Sequence, residues 1–309
     1  MSLHGGVADD ITPDLQRGVR LAWWTLGWMG SVVIVMWLVM GSSQAMKAAV
    51  IEDLLSLIPA MVFLIAAHWE RKEPNPRFPF GYRRANSLAF LIAATALIAV
   101  GAFLAYESVT TLIRREHPTV GGITLFGETL WLGWLMLAAL AYSVVPPLIL
   151  GHLKLPIAER IQDKVLHTDA LMQKADWQTG LAGMAGVMGI GLGWWWADAA
   201  AALFISVSIL RDGWGALRQA VAELLDGAPR ALENDDLAED AVKLHAELQR
   251  RFGDVSVRLR ETGRYIAAEV DAPTPPHPPA AEELMGRERA WRLCSLSFRT
   301  DSPEAGADA

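Results

Sequence analysis

The chain has 309 residues, of which 52 % are hydrophobic and 20 % are charged. Acidic residues outnumber basic ones by 34 to 27, giving a formal net charge of −7 at pH 7, and no nucleic acid is expected as a partner. The single cysteine, Cys294, excludes a disulfide or a CxxC metal site within one chain. The sequence has no phosphate-binding glycine loop and no catalytic triad pattern, so the protein is not expected to be an enzyme.

The apolar residues are concentrated in six segments, and the charged residues lie mostly between and after them. Each segment is close to the roughly 20 residues that a helix needs to cross about 30 Å of hydrocarbon. The predicted spans are residues 21–41, 47–68, 86–113, 128–151, 170–195 and 197–216. An even number of spans places both ends of the chain on one side of the membrane. The first twenty residues lack the apolar core of a cleavable signal.

Basic residues indicate which side that is. Most of them lie before the first span and after the even-numbered spans, namely Arg17, Arg20, Arg71, Lys72, Arg77, Arg83, Arg84, Lys154, Arg160 and Lys164, with Lys174 soon after. The opposite loops carry only Lys47, Arg114 and Arg115. The positive-inside rule therefore predicts that both termini are cytoplasmic. We expect an integral protein of a bacterial inner (plasma) membrane.

After Leu225 the sequence changes to a soluble pattern. Its periodicities predict a helix over 236–251, strands over 255–259 and 265–270 around a turn at 261–263, a helix over 280–289 and a strand over 291–298. The predicted fold is an all-α six-helix membrane bundle with a small cytoplasmic α+β C-terminal domain. Its parts are a cytoplasmic N-terminal segment at 1–20, the six-span transport domain at 21–225 and the α+β domain at 226–309, expected to serve dimerisation.

Acidic residues lie inside two of the predicted spans. Glu52 and Asp53 lie in the second span, and Asp169 and Asp176 lie at the beginning of the fifth. An ionisable side chain in the hydrocarbon region is costly, and such residues usually belong to a functional site. The sequence therefore indicates transport of a charged substrate. Pro59, just past the acidic pair, is predicted to kink its helix.

Three segments, in this order along the chain, resemble the cation diffusion facilitator family. They are FPFGYRRAN at 78–86, GWWWAD at 193–198 and LLDGAP at 224–229. The resemblance covers nearly the whole chain, including the six spans and the C-terminal domain. It implies a dimer in the lipid membrane that exports a divalent metal ion from the cytoplasm in exchange for protons, and we expect the dimer to be a homodimer.

The same resemblance implies a metal site on two helices. In the family, two residues four apart on span two and two on span five, each usually His or Asp, bind the metal. The matching positions here are Asp53 and Leu57, then Met172 and Asp176. Two of the four are aspartates, so the usual zinc site is not intact.

Helical geometry extends this set to further candidates. The candidate metal ligands are Glu52, Asp53, Ser56, Asp169, Met172, Gln173 and Asp176. Asp169, Met172 and Asp176 are spaced i, i+3 and i+7, which places them on one face, and Glu52 and Ser56 are spaced i and i+4. Oxygen ligands suit manganese(II) or iron(II), whereas a thioether tolerates softer ions. The transported ion stays open among manganese, iron, cobalt, nickel, zinc and cadmium, and no resident cofactor is expected.

Each of the less certain candidates has a structural alternative. Met172 is one of 11 methionines and could pack in the core instead of binding metal. Glu52 could lie near the outer interface, and Asp169 could cap the start of its helix. Asp53 and Asp176 have the strongest case for a role in transport.

The proton coupling is expected to use carboxylates, because no histidine lies in the predicted core site. Burial disfavours an ionised carboxylate while a bound divalent cation favours it, so metal and protons compete for one site. The loop positions that bear metal ligands in many relatives are Phe78 and Tyr82 here, and the C-terminal domain has only His245, His277 and Cys294. We therefore expect no second zinc site in the loop and no metal sensing by the domain.

Two other functions fit the same sequence. A chain that has lost half of the usual ligands could be a non-transporting or regulatory family member that dimerises with an active exporter. A transporter of a different small substrate is a further alternative. The retained pair of Asp53 and Asp176 favours metal transport.

Overall fold

The structure is a computed structural model, and it describes residues 8–39, 50, 53–115, 122–125, 128–191, 194–234 and 236–299. Most of these residues are helical. The long helices of the N-terminal two thirds are α1 (Thr12–Val39), α2 (Ile58–Glu70), α3 (Arg84–Arg114), α4 (Leu132–Ile161), α5 (Lys164–Gly191) and α6 (Ala197–Leu224). They pack as a bundle in which α3 lies along α6, α4 lies along α5, and α1 lies along α4.

Four helical stretches are long and apolar enough to cross a membrane. Among the described residues these are Asp9–Leu38, Asp53–Glu70, Arg84–Arg114 and Leu137–Ile161. The helices α5 and α6 do not meet the same measure, because charged residues interrupt their apolar sequence. Six spanning helices therefore stay a prediction.

The predicted start of the fourth span was wrong. Residues 128–131 form a strand, β2 (Glu128–Trp131), which pairs antiparallel with β1 (Gly122–Leu125), and α4 begins only at Leu132. The Thr, Ile and Trp residues of these two strands are types that are enriched in β-strands.

The helix α2 is interrupted near the predicted metal site. Residues 53–55 are helical, Ser56 and Leu57 form a turn, and the helix resumes at Ile58 with Pro59 in its first turn. Proline has no N–H to donate to the carbonyl four residues earlier, and its ring crowds that carbonyl. The interruption lies where Pro59 was predicted to kink the helix.

The C-terminal part is an α+β domain, as predicted. Its elements are α7 (Glu239–Phe252), β3 (Val257–Thr262), β4 (Tyr265–Val270), α8 (Ala281–Met285) and β5 (Leu293–Phe298). The strands form one sheet in the order β3-β4-β5, with β3 antiparallel to β4 and β4 parallel to β5. The helix α7 covers this sheet with Leu244 and Leu248, both fully buried.

The first turn and the second helix of this domain differ most from the prediction. The β3–β4 turn lies at Gly263 and Arg264 rather than at 261–263, because Thr262 still pairs with Tyr265. Gly263 has φ +61°, a left-handed conformation that glycine adopts without strain. The helix predicted over 280–289 is only five residues long and ends at Gly286, where φ is +76°.

The domain packs against the membrane helices through an apolar cluster. Tyr265, Trp291 and Cys294 of the domain share this cluster with Phe63 of α2 and Phe90 of α3. All five side chains are 6 % exposed or less. The apolar core of the bundle therefore continues into the soluble domain.

Candidate metal transport site

The helix α5 carries most of the predicted ligands, and it buries them. Asp169, Met172 and Gln173 are 0 % exposed, and Asp176 is 8 % exposed. Since α5 contacts α4, α3, α2 and α6, these side chains lie inside the bundle and not at its lipid-facing surface. The polar residues of α5 thus form a buried column about two turns long.

The thioether of Met172 lies among apolar side chains. It belongs to a cluster with Leu97 and Val100 of α3 and Ile209 of α6. Leu55, just before the interruption of α2, packs against the same cluster. This contact brings the start of the second helix, which carries Asp53, next to the middle of α5.

Asp53 lies in the short helical stretch 53–55 just before α2, and Ser56 lies in the turn that joins this stretch to α2. Asp53 is half-buried, and Ser56 is fully buried with its hydroxyl donating to the backbone carbonyl of Asp53 at 2.9 Å. The Ser56 oxygen keeps lone pairs that can bind a cation. The third candidate of this segment, Glu52, lies outside the described residues.

Asp169 has a partner that the sequence did not indicate. Its Oδ2 accepts a hydrogen bond from Nζ of Lys154 on α4 at 2.5 Å, and both side chains are 0 % exposed. Lys154 was missed because the fourth span was predicted to end at residue 151, whereas α4 continues to Ile161. The sequence did contain one signal for this pairing, because Lys154 lies only three positions beyond the predicted end of the span.

Asp169 is not the helix cap that was considered for it. The helix α5 begins at Lys164, so Asp169 lies in its second turn. The cap is Asp163, whose Oδ1 accepts the backbone N–H of Leu166 at 2.9 Å.

Several buried polar atoms of the column have no hydrogen-bond partner among the described residues. They are Oδ1 of Asp169 and both amide atoms of Gln173. A buried polar atom left in this way costs about 1–3 kcal/mol, so such atoms tend to mark places where water or an ion binds. Within the described part of the chain, however, no group of three His, Cys, Asp or Glu side chains is close enough to hold a metal ion.

A second set of buried charges lies where the helices meet the C-terminal domain, and the sequence did not predict it. Arg264, in the β3–β4 turn, is 0 % exposed and places Nη2 2.8 Å from both Oε2 of Glu70 and Oδ2 of Asp163. Asn86 at the start of α3 donates to the same oxygen of Asp163 at 3.0 Å. One turn of the soluble domain therefore joins the ends of α2, α3 and α5.

The same turn also reaches α6. The N–H of Gly263 donates to Oε1 of Glu223 and to Oγ of Ser87, each at 3.0 Å. Lys164 binds Oε2 of Glu261 at 2.5 Å and lies 3.6 Å from Oε2 of Glu223. Burial raises the pKa of Glu223 to about 7, with the nearby Lys164 ammonium opposing the rise. We name the residues of this and the preceding paragraph the domain junction.

Comparison with known proteins identifies the bundle. Residues 22–225 match the sequence model of the cation efflux transmembrane domain. The chain belongs to the cation efflux family. The cation diffusion facilitator resemblance of the three segments is thereby confirmed. Membership of a transporter family, together with four apolar helices long enough to span a bilayer, makes this an integral membrane protein.

Curated proteins of the cation efflux family match the chain at similar levels. A Mycobacterium tuberculosis protein named "Probable cation efflux system protein" is 28 % identical over 262 residues, which cover 84 % of this chain and 73 % of the relative. The zinc transporter ZitB of Escherichia coli is 27 % identical over 65 % of this chain and 60 % of its own length. A cadmium, cobalt and zinc/H(+)-K(+) antiporter of Bacillus subtilis is 26 % identical over 60 % of this chain and 55 % of its own length.

Proposed function

We propose that this cation efflux protein exports a divalent metal ion from the cytoplasm in exchange for protons. In this proposal it acts as a homodimer of six-span chains with both termini cytoplasmic, in a bacterial inner membrane. The names of its relatives support the substrate class, since they include a zinc transporter and an antiporter of cadmium, cobalt and zinc.

The observation that carries the proposal is the buried polar column of α5. Asp176 and Gln173 lie inside the bundle, and both amide atoms of Gln173 have no partner among the described residues. The helical stretch 53–55 just before α2, which contains Asp53, adjoins this column through Leu55. A membrane protein keeps such groups inside its bundle where they serve an ion pathway.

The ligands we assign are dominated by oxygen. Asp53 and Asp176 supply the two carboxylates, and Ser56 and Gln173 supply neutral oxygens. The apolar surroundings of Met172 support its role in packing rather than in binding. Such a set favours manganese(II) or iron(II) over zinc(II), which prefers nitrogen and sulfur ligands. Glu52 remains a proposed additional ligand.

Flux in proteoliposomes tests this function. Purified protein is reconstituted, and uptake of manganese, iron, cobalt, nickel, zinc and cadmium is measured with the membrane potential clamped. We expect flux that accelerates when the proton gradient is opposed to the direction of metal movement. Flux that ignores the gradient would indicate a uniporter.

The absence of flux for every metal would favour the alternative of a non-transporting family member. That alternative has one observation in its support, since the described residues hold no group of three metal-binding side chains. It predicts that transport appears only when the chain is reconstituted with an active exporter.

A further inference from the structure

Lys154 is a lysine inside a helix that is long and apolar enough to cross a membrane. It lies in the stretch Leu137–Ile161, and its side chain is 0 % exposed. A buried ammonium in such a position is costly unless an acidic partner offsets its charge. The partner is Asp169, at 2.5 Å.

The ion pair lies at one end of the polar column of α5. Gln173 and Asp176 follow Asp169 at i+4 and i+7, so Asp176 is about 10 Å further along the helix axis. Gly151, one turn from Lys154 on α4, faces Gln173 so closely that an added Cβ would lie 3.2 Å from the Gln173 Cβ. Lys154 therefore faces the column and not the lipid.

The pairing changes the number of carboxylates that a metal ion meets. With Asp169 bound to Lys154, the assigned carboxylates are Asp53 and Asp176, whose two charges balance those of a divalent ion. Without Lys154, the third carboxylate would carry an uncompensated negative charge within the same column. Extra negative charge strengthens the binding of a cation and slows its release.

We propose that Lys154 is a tethered cation that withholds Asp169 from the metal and so sets the affinity of the transport site. This inference rests on the proposed function, because it describes how that site is tuned. It makes Lys154 a positioning residue that sets affinity through Asp169, and it makes Asp169 a counterion instead of a ligand.

The test compares four variants in proteoliposomes, with manganese(II) and zinc(II) as the probes. Lys154→Met keeps most of the aliphatic stem and removes the charge. Removing a unit positive charge about 10 Å from a divalent ion, at an effective dielectric constant of roughly 20, lowers KM by about two orders of magnitude or slightly more. We expect that decrease together with a lower kcat, since release slows, while Lys154→Arg keeps the KM of the wild type.

The double variant Lys154→Met with Asp169→Asn decides the role of Asp169. If Asp169 is only a counterion, KM returns to within about threefold of the wild-type value. A rise of tenfold or more in the double variant would show that Asp169 binds the metal, and it would overturn the proposal. This comparison holds even if Lys154→Met alone does not fold, because the double variant leaves no buried charge unpaired.

Lys174→Met is the matched control. Lys174 lies on the same helix as Asp169 but is exposed, so its loss changes the net charge without changing the column. We expect unchanged kinetics for this variant. A decrease in KM equal to that of Lys154→Met, or a Lys154→Met protein with lowered thermal stability and unchanged KM, would refute the inference. Wild-type protein without flux would refute the proposed function itself, which is a distinct result.

Discussion

Replacing Arg264 by methionine should release the soluble domain from the membrane helices. The side chain is fully buried and binds Glu70 and Asp163, each at 2.8 Å. Methionine would fill most of the volume but would leave two carboxylates buried without their cation. Removing one partner of a buried ion pair costs about 3–5 kcal/mol. Each 1.4 kcal/mol is tenfold in an equilibrium constant, so the undocked population should rise by about two to three and a half orders of magnitude.

Cys294 is a native reporter for this change. It is the only cysteine of the chain, it is 5 % exposed, and it lies in the cluster shared by the domain and the bundle. Burial raises the pKa of its thiol, so in the docked state it is both shielded and poorly reactive. The rate of maleimide labelling in detergent, at fixed pH, therefore follows the opening of the interface. We expect rapid labelling of the Arg264→Met protein, limited only by the rate for a free thiol.

Arg287→Met provides the matched control, because Arg287 is an exposed arginine of the same domain. Its labelling rate and its thermal stability should equal those of the wild type. If Arg264→Met shows the same labelling rate and thermal stability as this control, the buried ion pairs do not hold the domain in place. The structural role assigned to the domain junction would then be wrong.

Four further predictions concern the junction and the site. Gly263→Ala should accelerate Cys294 labelling, because a Cβ there would lie 2.7 Å from a backbone carbonyl oxygen at the start of α3. Gly253 also has a positive φ but has open space around it, so Gly253→Ala should leave the labelling rate unchanged. Burial raises the pKa of the Glu223 carboxyl from 4.5 to about 7, so between these pH values the folded state holds a proton that the unfolded state has lost. Thermal stability should therefore fall as the pH rises from about 4.5 to 7, and Glu223→Gln should make that fall smaller. Asp176→Asn should abolish metal flux while size-exclusion chromatography shows an unchanged oligomer, and flux at the wild-type rate would remove it from the site. Met172→His should lower the melting temperature without raising zinc affinity measured by calorimetry, because the imidazole would lie among apolar side chains; a tighter zinc site would show that this position faces the metal.

Local sequence pattern predicted the architecture well where the residues of a single helix or strand determine its structure without contacts to other elements. The apolar runs gave the helices of the bundle, and alternation gave the strands of the soluble domain. The pattern failed at residues 128–131, which were assigned to a helix and form a strand, because a short apolar run fits either structure. The pattern also placed the β3–β4 turn too early. Thr262 was expected in the turn, but it pairs with Tyr265 across the two strands.

The pairing of charges could not be predicted in the same way. Lys154 and Asp169 are only 15 residues apart, but their contact depends on the register between α4 and α5. Arg264 lies 194 residues from Glu70, and an arginine in a hairpin turn is usually an exposed residue. Only the docking of the domain makes this arginine a buried one. The sequence predicted the candidate ligands that lie together on one helix. The pairing of Asp169 with Lys154 depends on the packing between two helices, so it became visible only in the structure.

The helix α5 connects the two buried charge systems. Its start, with the cap Asp163 and the first residue Lys164, belongs to the domain junction, and Asp176 lies 13 residues beyond Asp163, or about 20 Å along the helix. A helix of that length moves as a rigid element, so a shift of α5 at the metal site must also displace its end against Arg264 and Glu261. The soluble domain therefore has a role besides the dimerisation expected for it, because it neutralises charges that the membrane helices bury. Deleting it would expose Glu70, Asp163 and Lys164 without their partners, and the bundle would lose part of its own stability.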